Sequence, residues 1–248
     1  GLLQRREKMR IIIIRHGEPD NPNQTLTKKG FEEVAALHDF YKDYPFDEIY
    51  VSPLARAQLT AKGLLPNRVK EFHTMDWLKE FTHFVKVPYS EERVQNWDFL
   101  PKYFTDQKDF YSYDKYLDHE VMKSGDIKDD YKHVVNEFDK ILAAHGYVRE
   151  GKYYRVIKEN RDTLLFVCHF GMMSVLMAHL MSLPYVVLTQ YFCCPPTGVT
   201  TLISEERVEG EAQFRCLGYG DISHLNIKGI KPSFHGRFCE IFHSDERH

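Results

Sequence analysis

The stretch RIIIIRHGE, residues 10–18, decides how the chain is interpreted. Its run of isoleucines is β-branched and lacks polar alternation, which is typical of a strand buried on both faces of a parallel sheet. The run ends abruptly at RHGE, residues 15–18. The stretch TLLFVC, residues 163–168, repeats the pattern and is followed at once by His169. The sequence therefore predicts buried strands that end in histidines.

Helical patterns alternate with these strands. Thr27 is a candidate N-cap for one helix, and Ser52 with Pro53 predicts the start of another. Two stretches near the C-terminus, 199–203 and 212–217, have the pattern of an antiparallel pair. This order predicts an α/β fold, a three-layer α/β/α sandwich with a mostly parallel sheet.

Length and composition favour one globular domain. The 248 residues, 43% hydrophobic and 28% charged, exclude a disordered or collagen-like chain. Residues 77–116 contain 12 of the 34 aromatic residues, which marks a change of character. We therefore predict a single domain over residues 1–248, with an aromatic-rich insertion at about 81–130 that forms a lid.

The charge balance and the cysteines narrow the class of partner. With 33 basic and 36 acidic residues, the chain lacks the cationic field that a nucleic acid or an anionic membrane requires. The five cysteines include no CxxC pair, so neither a metal site nor a disulfide framework is expected. No apolar run reaches the roughly 20 residues of a membrane span. These features predict a cytoplasmic protein.

Three polar clusters follow predicted strands: residues 15–18, residues 52–56 and His169. Parallel strands place such junctions at one edge of the sheet, so two histidines and two arginines are expected to converge there. A lone histidine at a strand end is more often structural, but two histidines and two arginines spread over three separate junctions favour a site. Two guanidiniums suit a phosphate, and a histidine beside fixed cations stays neutral and nucleophilic.

These clusters belong to a longer set of motifs that resembles the histidine phosphatase superfamily, also called phosphoglycerate mutase-like. The matching pieces, in order, are RHGE (15–18), LTxxG (26–30), SPLxRAxxTA (52–61), LxE (78–80), His169 and DxxHL (221–225).

The resemblance implies a role for five residues. His16 would be the phosphorylated nucleophile, and Arg15, Arg56 and His169 would complete the phosphate pocket. Glu80 would be the general acid that protonates the leaving oxygen and later activates water. The resemblance implies no metal ion and no cofactor, because the arginines supply the charge stabilisation.

Two departures from the family pattern affect substrate contacts. Phe170 stands where the family often has glycine, and Gly171 follows one position later. Many members carry an asparagine four residues beyond the RHGE glutamate, where this chain has Pro22 between Asn21 and Asn23. Phe170, Gly171 and either asparagine are therefore candidate substrate-binding residues.

The C-terminal region leaves alternatives open. Asp221 and His224 are expected to be structural. Residues 230–248, which include Phe238 and Phe242, dock either on their own domain or on a neighbouring molecule, so the oligomeric state stays open.

The expected function is hydrolysis of a small phosphomonoester through phosphohistidine, as in histidine acid phosphatases. The alternative is a phosphoglycerate mutase-type phosphotransferase, but the segment after Glu18 is short and the insertion is not rich in proline and arginine. A non-catalytic phospho-ligand binding protein is less favoured, because His16 and Glu80 are both present. The aromatic insertion predicts a substrate with one phosphate and an apolar or planar part; alternatively, its rings pack the insertion's own core.

Overall fold

The computed structural model describes residues 9–238 and 240–246. Its strands, in chain order, are β1 (Arg10–Arg15), β2 (Pro19–Asp20), β3 (Thr25–Leu26), β4 (Glu48–Val51), β5 (Phe72–Thr74), β6 (Phe84–Val85), β7 (Val94–Gln95), β8 (Tyr147–Glu150), β9 (Tyr153–Val156), β10 (Thr163–Cys168), β11 (Val199–Val208) and β12 (Glu211–Asp221).

The helices are α1 (Lys28–Tyr41), α2 (Ala55–Leu64), α3 (Pro101–Asp106), α4 (Glu120–Lys123), α5 (Ile127–Ala144), α6 (Phe170–Met181), α7 (Tyr185–Tyr191) and α8 (Ser223–Ile227). Short 3-10 turns cover Pro66–Glu71, Asp76–Leu78, Lys108–Tyr111 and Tyr116–Asp118.

One eight-stranded sheet organises the fold, in the order β5-β4-β10-β1-β11-β12-β9-β8. The first four strands in this order are parallel, and the rest are antiparallel. The predicted α/β class and the antiparallel pair near the C-terminus are confirmed. The β8–β9 hairpin was not predicted, because its short strands carry mixed apolar and polar residues.

The isoleucines of β1 are buried on both faces, as the pattern predicted. Ile12 and Ile14 pack with the α1 and α2 side, and Ile11 and Ile13 pack with the α5 and α6 side. Helices therefore cover both faces of the sheet, which makes the three layers of an α/β/α sandwich.

The predicted N-cap of α1 is confirmed, but that of α2 is wrong. Thr27 Oγ1 accepts a hydrogen bond from the Gly30 N–H at 3.0 Å. Helix α2 begins at Ala55, three residues after Ser52. The Ser52 hydroxyl bonds to His169 and accepts the N–H of Leu54, the residue that precedes the helix, so it gives no side-chain cap to α2 itself.

The rings of the insertion mainly build a core. Phe81, Phe99, Phe104, Phe110 and Tyr116 are buried and belong to the same hydrophobic cluster as the α5 and α6 face of the sheet. Packing of the insertion, the alternative left open by the sequence, therefore accounts for these rings. The continuous cluster supports our proposal of a single domain with an insertion at about 81–130.

The structure also shows the state of the described cysteines and the character of the described helices. Cys239 lies outside the described residues, and the other four cysteines form no disulfide with one another. In residues 9–238 and 240–246, no helix combines the length and the apolar character that a membrane crossing requires.

Candidate active site

The site lies at the carboxyl ends of β1, β4 and β10, where three chain junctions meet. Arg15 pairs with Cys168 and Val51 with Val167, so the ends of the three strands are aligned. The ring centroids of His16 and His169 lie 5.1 Å apart. The expected convergence of the two histidines is confirmed.

His16 has a defined tautomer. Its Nδ1 lies 2.7 Å from the carbonyl oxygen of Gly17, and a carbonyl only accepts hydrogen bonds, so Nδ1 carries the hydrogen. Burial, followed by the neighbouring His169 and Arg15, holds the pKa of His16 well below its usual value. The imidazole is therefore neutral near pH 7, with the lone pair on Nε2.

His169 is held by Ser52. Its Nε2 lies 2.7 Å from Ser52 Oγ, which also accepts a hydrogen bond from the Leu54 N–H at 3.2 Å. Its Nδ1 is buried and has no hydrogen-bond partner among the described residues. Burial, with Arg56 and Arg15 nearby, holds the pKa of His169 well below its usual value. The Ser52 contact thus fixes the ring through Nε2, and Nδ1 is the nitrogen left without a partner in the part of the chain that the structure describes.

The two arginines supply fixed positive charge. Arg15 is 5% exposed, and its Nη1 donates to the carbonyl oxygen of Cys194 at 2.5 Å. Its guanidinium carbon lies 5.9 Å from the centre of the Phe170 ring. Arg56 lies in the first turn of α2 and is partly buried. Guanidiniums stay protonated near neutral pH, so both side chains favour an anionic ligand.

Glu80 lies against the N-terminus of α6. Its Oε1 accepts hydrogen bonds from the N–H groups of Phe81 at 2.8 Å and Met172 at 2.9 Å, and its Oε2 accepts one from Gly171 at 3.3 Å. Burial raises the pKa of Glu80, although these hydrogen bonds and Arg15 act in the opposite direction. The carboxyl group is therefore held in place with a raised pKa.

Gly171, a predicted substrate-binding residue, contacts Glu80 and Trp97. Its N–H points to Glu80, and a Cβ at this residue would lie 2.7 Å from Glu80 Oε1 and 2.5 Å from the Trp97 ring. A glycine is therefore needed for the close approach of Glu80 and Trp97. In this chain the glycine comes one residue later than in the family pattern, and at that position it leaves room for the Glu80 carboxyl group.

The loop that carries His16 is tied down from two sides. Gly17 N–H donates to Thr60 Oγ1 at 2.9 Å. Thr197 N–H is shared between the carbonyl oxygens of Arg15 and His16, at 3.0 and 3.1 Å. The hydroxyl of Thr197 lies 2.8 Å from Nε2 of His224, which is buried. His224 therefore has the structural role expected for it, as a support of this loop.

A cleft of about 280 Å³ opens above these groups. Its lining residues are Arg15, His16, Pro19, Asn21, Arg56, Glu80, Thr82, Gln95, Trp97, Phe170, His235, Gly236 and Phe238. The sequence-predicted His16, Arg15, Arg56, Glu80, Asn21 and Phe170 are thus brought together, with His169 beneath them.

Asn23 and most of the aromatic insertion lie elsewhere. The Nδ2 of Asn23 donates to Asp20 Oδ2 at 2.8 Å, and Asn23 does not line the cleft, so the structure favours Asn21. Among the twelve aromatic residues of 77–116, all of them described, only Trp97 lines it. The stretch 77–116 therefore presents one aromatic residue to the cleft.

Sequence reasoning missed Thr82, Gln95, His235 and Gly236. Thr82 lies in a loop, Gln95 ends the two-residue strand β7, and His235 and Gly236 belong to the C-terminal region. No motif or periodicity in these segments marks a functional residue. The residues 9–238 and 240–246 contain no group of three or more His, Cys, Asp and Glu placed to hold a metal ion.

The chain is similar in sequence to proteins of a known family. The family model described as histidine phosphatase superfamily (branch 1) matches residues 11–146. The adenosylcobalamin/alpha-ribazole phosphatase of Salmonella typhi is 26% identical over 188 residues, which are 71% of this chain and 81% of that protein.

Solved structures show the same fold. A phosphoserine phosphatase from Entamoeba histolytica aligns with a TM-score of 0.53 at 19% identity, over 88% of this chain and 99% of that chain. The protein YhfR from Bacillus stearothermophilus aligns with a TM-score of 0.55 at 20% identity, also over 88% and 99%.

Proposed function

We propose, from the premise that the chain belongs to the histidine phosphatase superfamily (branch 1), that it hydrolyses small phosphate monoesters through a phosphorylated His16. One observation carries the proposal: a buried, neutral His16 with its lone pair on Nε2 lies beside His169 and two arginines. That combination supports a nucleophilic role for His16 and a phosphate dianion as the ligand beside it.

In the first step, His16 Nε2 attacks phosphorus, and the bond from phosphorus to the ester oxygen breaks. Glu80 in its protonated form gives its proton to the leaving oxygen, so an alcohol departs and a carboxylate remains. Arg15, Arg56 and His169 bind the non-bridging oxygens, whose charge the guanidiniums offset.

In the second step, water attacks the phosphohistidine and the bond from Nε2 to phosphorus breaks. The Glu80 carboxylate takes a proton from that water, which restores the starting acid. Inorganic phosphate leaves, and His16 is neutral again with its hydrogen still on Nδ1.

The aromatic side of the cleft supports a substrate with a planar or apolar part. Trp97, Phe170 and Phe238 line one side, and the Trp97 and Phe170 rings are edge-to-face with centroids 6.4 Å apart. Such a wall favours a ring next to the phosphate group. The similarity to an alpha-ribazole phosphatase supports including that phosphate ester among the substrates tested.

The function is tested with purified protein and a panel of phosphate esters: p-nitrophenyl phosphate, phosphoserine, alpha-ribazole phosphate and a sugar bisphosphate. We expect phosphate release and an acid-labile phosphoenzyme. Phosphoryl transfer from 2,3-bisphosphoglycerate to 3-phosphoglycerate that is faster than transfer to water would instead establish a mutase. Absence of both turnover and phosphoenzyme across the panel would favour a binding protein.

Trp97→Ala tests the aromatic wall. We expect KM for an aryl phosphate to rise by about fivefold, because an aromatic contact contributes ~1 kcal/mol, while KM for phosphoserine stays within about twofold of the original value. The matched control is Phe104→Ala, which removes a fully buried ring of the insertion core. This control should lower the free energy of unfolding by about 3–5 kcal/mol and leave KM of the folded enzyme unchanged. Equal KM changes in both variants, or best turnover with sugar bisphosphates, would contradict the aromatic wall.

A further inference from the structure

The chain returns to the cleft after α8. We call residues 231–238 the closing segment; three of its residues, His235, Gly236 and Phe238, line the cleft. The sequence left open whether the C-terminal region docks on its own domain or on a neighbour. The described part up to residue 238 packs on its own domain, whereas Phe242 is 97% exposed.

Two contacts place the closing segment directly on catalytic groups. Gly236 has φ +66°, and a Cβ there would lie 2.5 Å from Nη2 and 2.7 Å from Nη1 of Arg15. The ring of Phe238 lies 5.4 Å from that of Phe170, centroid to centroid. The segment therefore covers the guanidinium of Arg15 and continues the aromatic side of the cleft.

One polar contact ties this segment to the loop that carries the nucleophile. The Ser233 hydroxyl, in a residue that is 2% exposed, donates to Glu18 Oε2. The other carboxylate oxygen of Glu18 accepts a hydrogen bond from Thr27 Oγ1 at 2.8 Å. The His235 N–H donates to Ser233 Oγ at 3.1 Å. Glu18 is two residues beyond His16, so the contact joins the closing segment to the nucleophile loop.

These hydrogen bonds give Glu18, which lies close to the anion pocket, a structural role. A carboxylate close to an anion pocket would repel a phosphate if its oxygens faced the cleft. Both oxygens of Glu18 instead accept hydroxyl hydrogen bonds from Thr27 and Ser233. A hydrogen bond to a charged acceptor is stronger than one between neutral groups, which suits the attachment of a segment without regular secondary structure.

We propose that the Ser233–Glu18 hydrogen bond is a latch that fixes the closing segment as one wall of the cleft, and that this wall binds the substrate's phosphate-bearing end through His235. Ser233 and Glu18 are then positioning residues, and His235 is a substrate-binding residue. The expected effect on KM rests on the proposed phosphatase function. The latch itself is a property of the folded chain and does not depend on that function.

The test compares Ser233→Ala with Ser223→Ala, a serine of α8 whose hydroxyl bonds locally to Asp221. In Ser233→Ala we expect amide exchange in residues 231–238 to accelerate by about tenfold or more, as loss of a hydrogen bond to a charged group implies. We also expect KM to rise by about tenfold with kcat within about threefold. Ser223→Ala should change neither quantity, and Ser233→Thr, which keeps the hydroxyl, should restore both.

His235→Ala should raise KM without changing amide exchange in the rest of the closing segment. Glu18→Ala is the second variant for the latch, and its effect on exchange in the closing segment should not add to that of Ser233→Ala, because both variants lose the same Ser233–Glu18 hydrogen bond. Additive effects, or exchange in Ser233→Ala equal to that in Ser223→Ala, would overturn the latch.

Faster amide exchange with an unchanged KM in Ser233→Ala would overturn the proposal that the closing segment binds the substrate. If the protein hydrolyses no phosphate ester, the proposed function fails; amide exchange still decides the latch, and calorimetric binding of inorganic phosphate to Ser233→Ala and His235→Ala decides the wall.

Discussion

His16→Ala is expected to abolish phosphoenzyme formation and to lower kcat/KM by at least about 10⁴-fold, because the substitution removes the nucleophile of both steps. The substitution removes the neutral Nε2 that the Gly17 carbonyl leaves free for attack, and Nε2 of the neighbouring His169 is engaged by Ser52. The measurement is acid-quenched incorporation of radiolabelled phosphate, together with steady-state phosphate release.

The matched control is His133→Ala, on the exposed face of α5, which should retain both activities. Binding of inorganic phosphate to His16→Ala should persist, because Arg15, Arg56 and His169 remain. Phosphate release by His16→Ala at the original rate would contradict the phosphohistidine mechanism, and phosphoenzyme of undiminished yield would assign the nucleophile to another residue.

Glu80→Gln is expected to lower kcat/KM for an alkyl phosphate by about 10²–10⁴-fold, the usual contribution of a general acid. The loss should be smaller, about tenfold, for p-nitrophenyl phosphate, because its leaving group departs without a proton. The amide keeps the shape of the side chain and can still accept the N–H groups of Phe81 and Met172. The difference between the two substrates therefore reports on proton transfer and not on folding.

The pH profile gives an independent test of Glu80. A general acid must be protonated, and the protonated fraction falls as pH rises through the pKa. Because burial raises the pKa of Glu80, kcat/KM should stay high to a pH above the usual range of a glutamate and then decline. Glu80→Gln should lose this alkaline decline, whereas Glu120→Gln, at an exposed position, should keep it. Equal losses for both leaving groups with an unchanged profile would contradict the assignment.

The part of the site that the sequence predicts consists of residues that directly follow the ends of buried strands. Buried strands without alternation indicated a parallel core, and parallel strands bring their carboxyl ends to one edge. That alone predicted that His16, Arg56 and His169 would meet. Glu80 came from the family resemblance, because nothing in the local pattern around it shows that it lies on the N-terminus of α6.

The remaining features depend on packing between distant parts of the chain. Ser52 has the local signature of a helix cap, yet its hydroxyl bonds to His169, 117 positions away. An aromatic-rich sequence looks the same whether its rings bind a ligand or pack against each other. Only the fold shows that Phe104 lies in the hydrophobic core and that Trp97 lines the cleft. The closing segment carries no periodicity, so its contact with Arg15 was not predictable.

The hydrogen bond from His16 Nδ1 to the Gly17 carbonyl also has a stereochemical consequence. It leaves one nitrogen for phosphoryl transfer, so in the proposed reaction the group arrives at and departs from the same atom. Each in-line displacement inverts the arrangement of oxygens around phosphorus, and two in succession restore it. A chiral phosphate ester would thus yield phosphate of retained configuration, whereas direct attack by water would yield its mirror image.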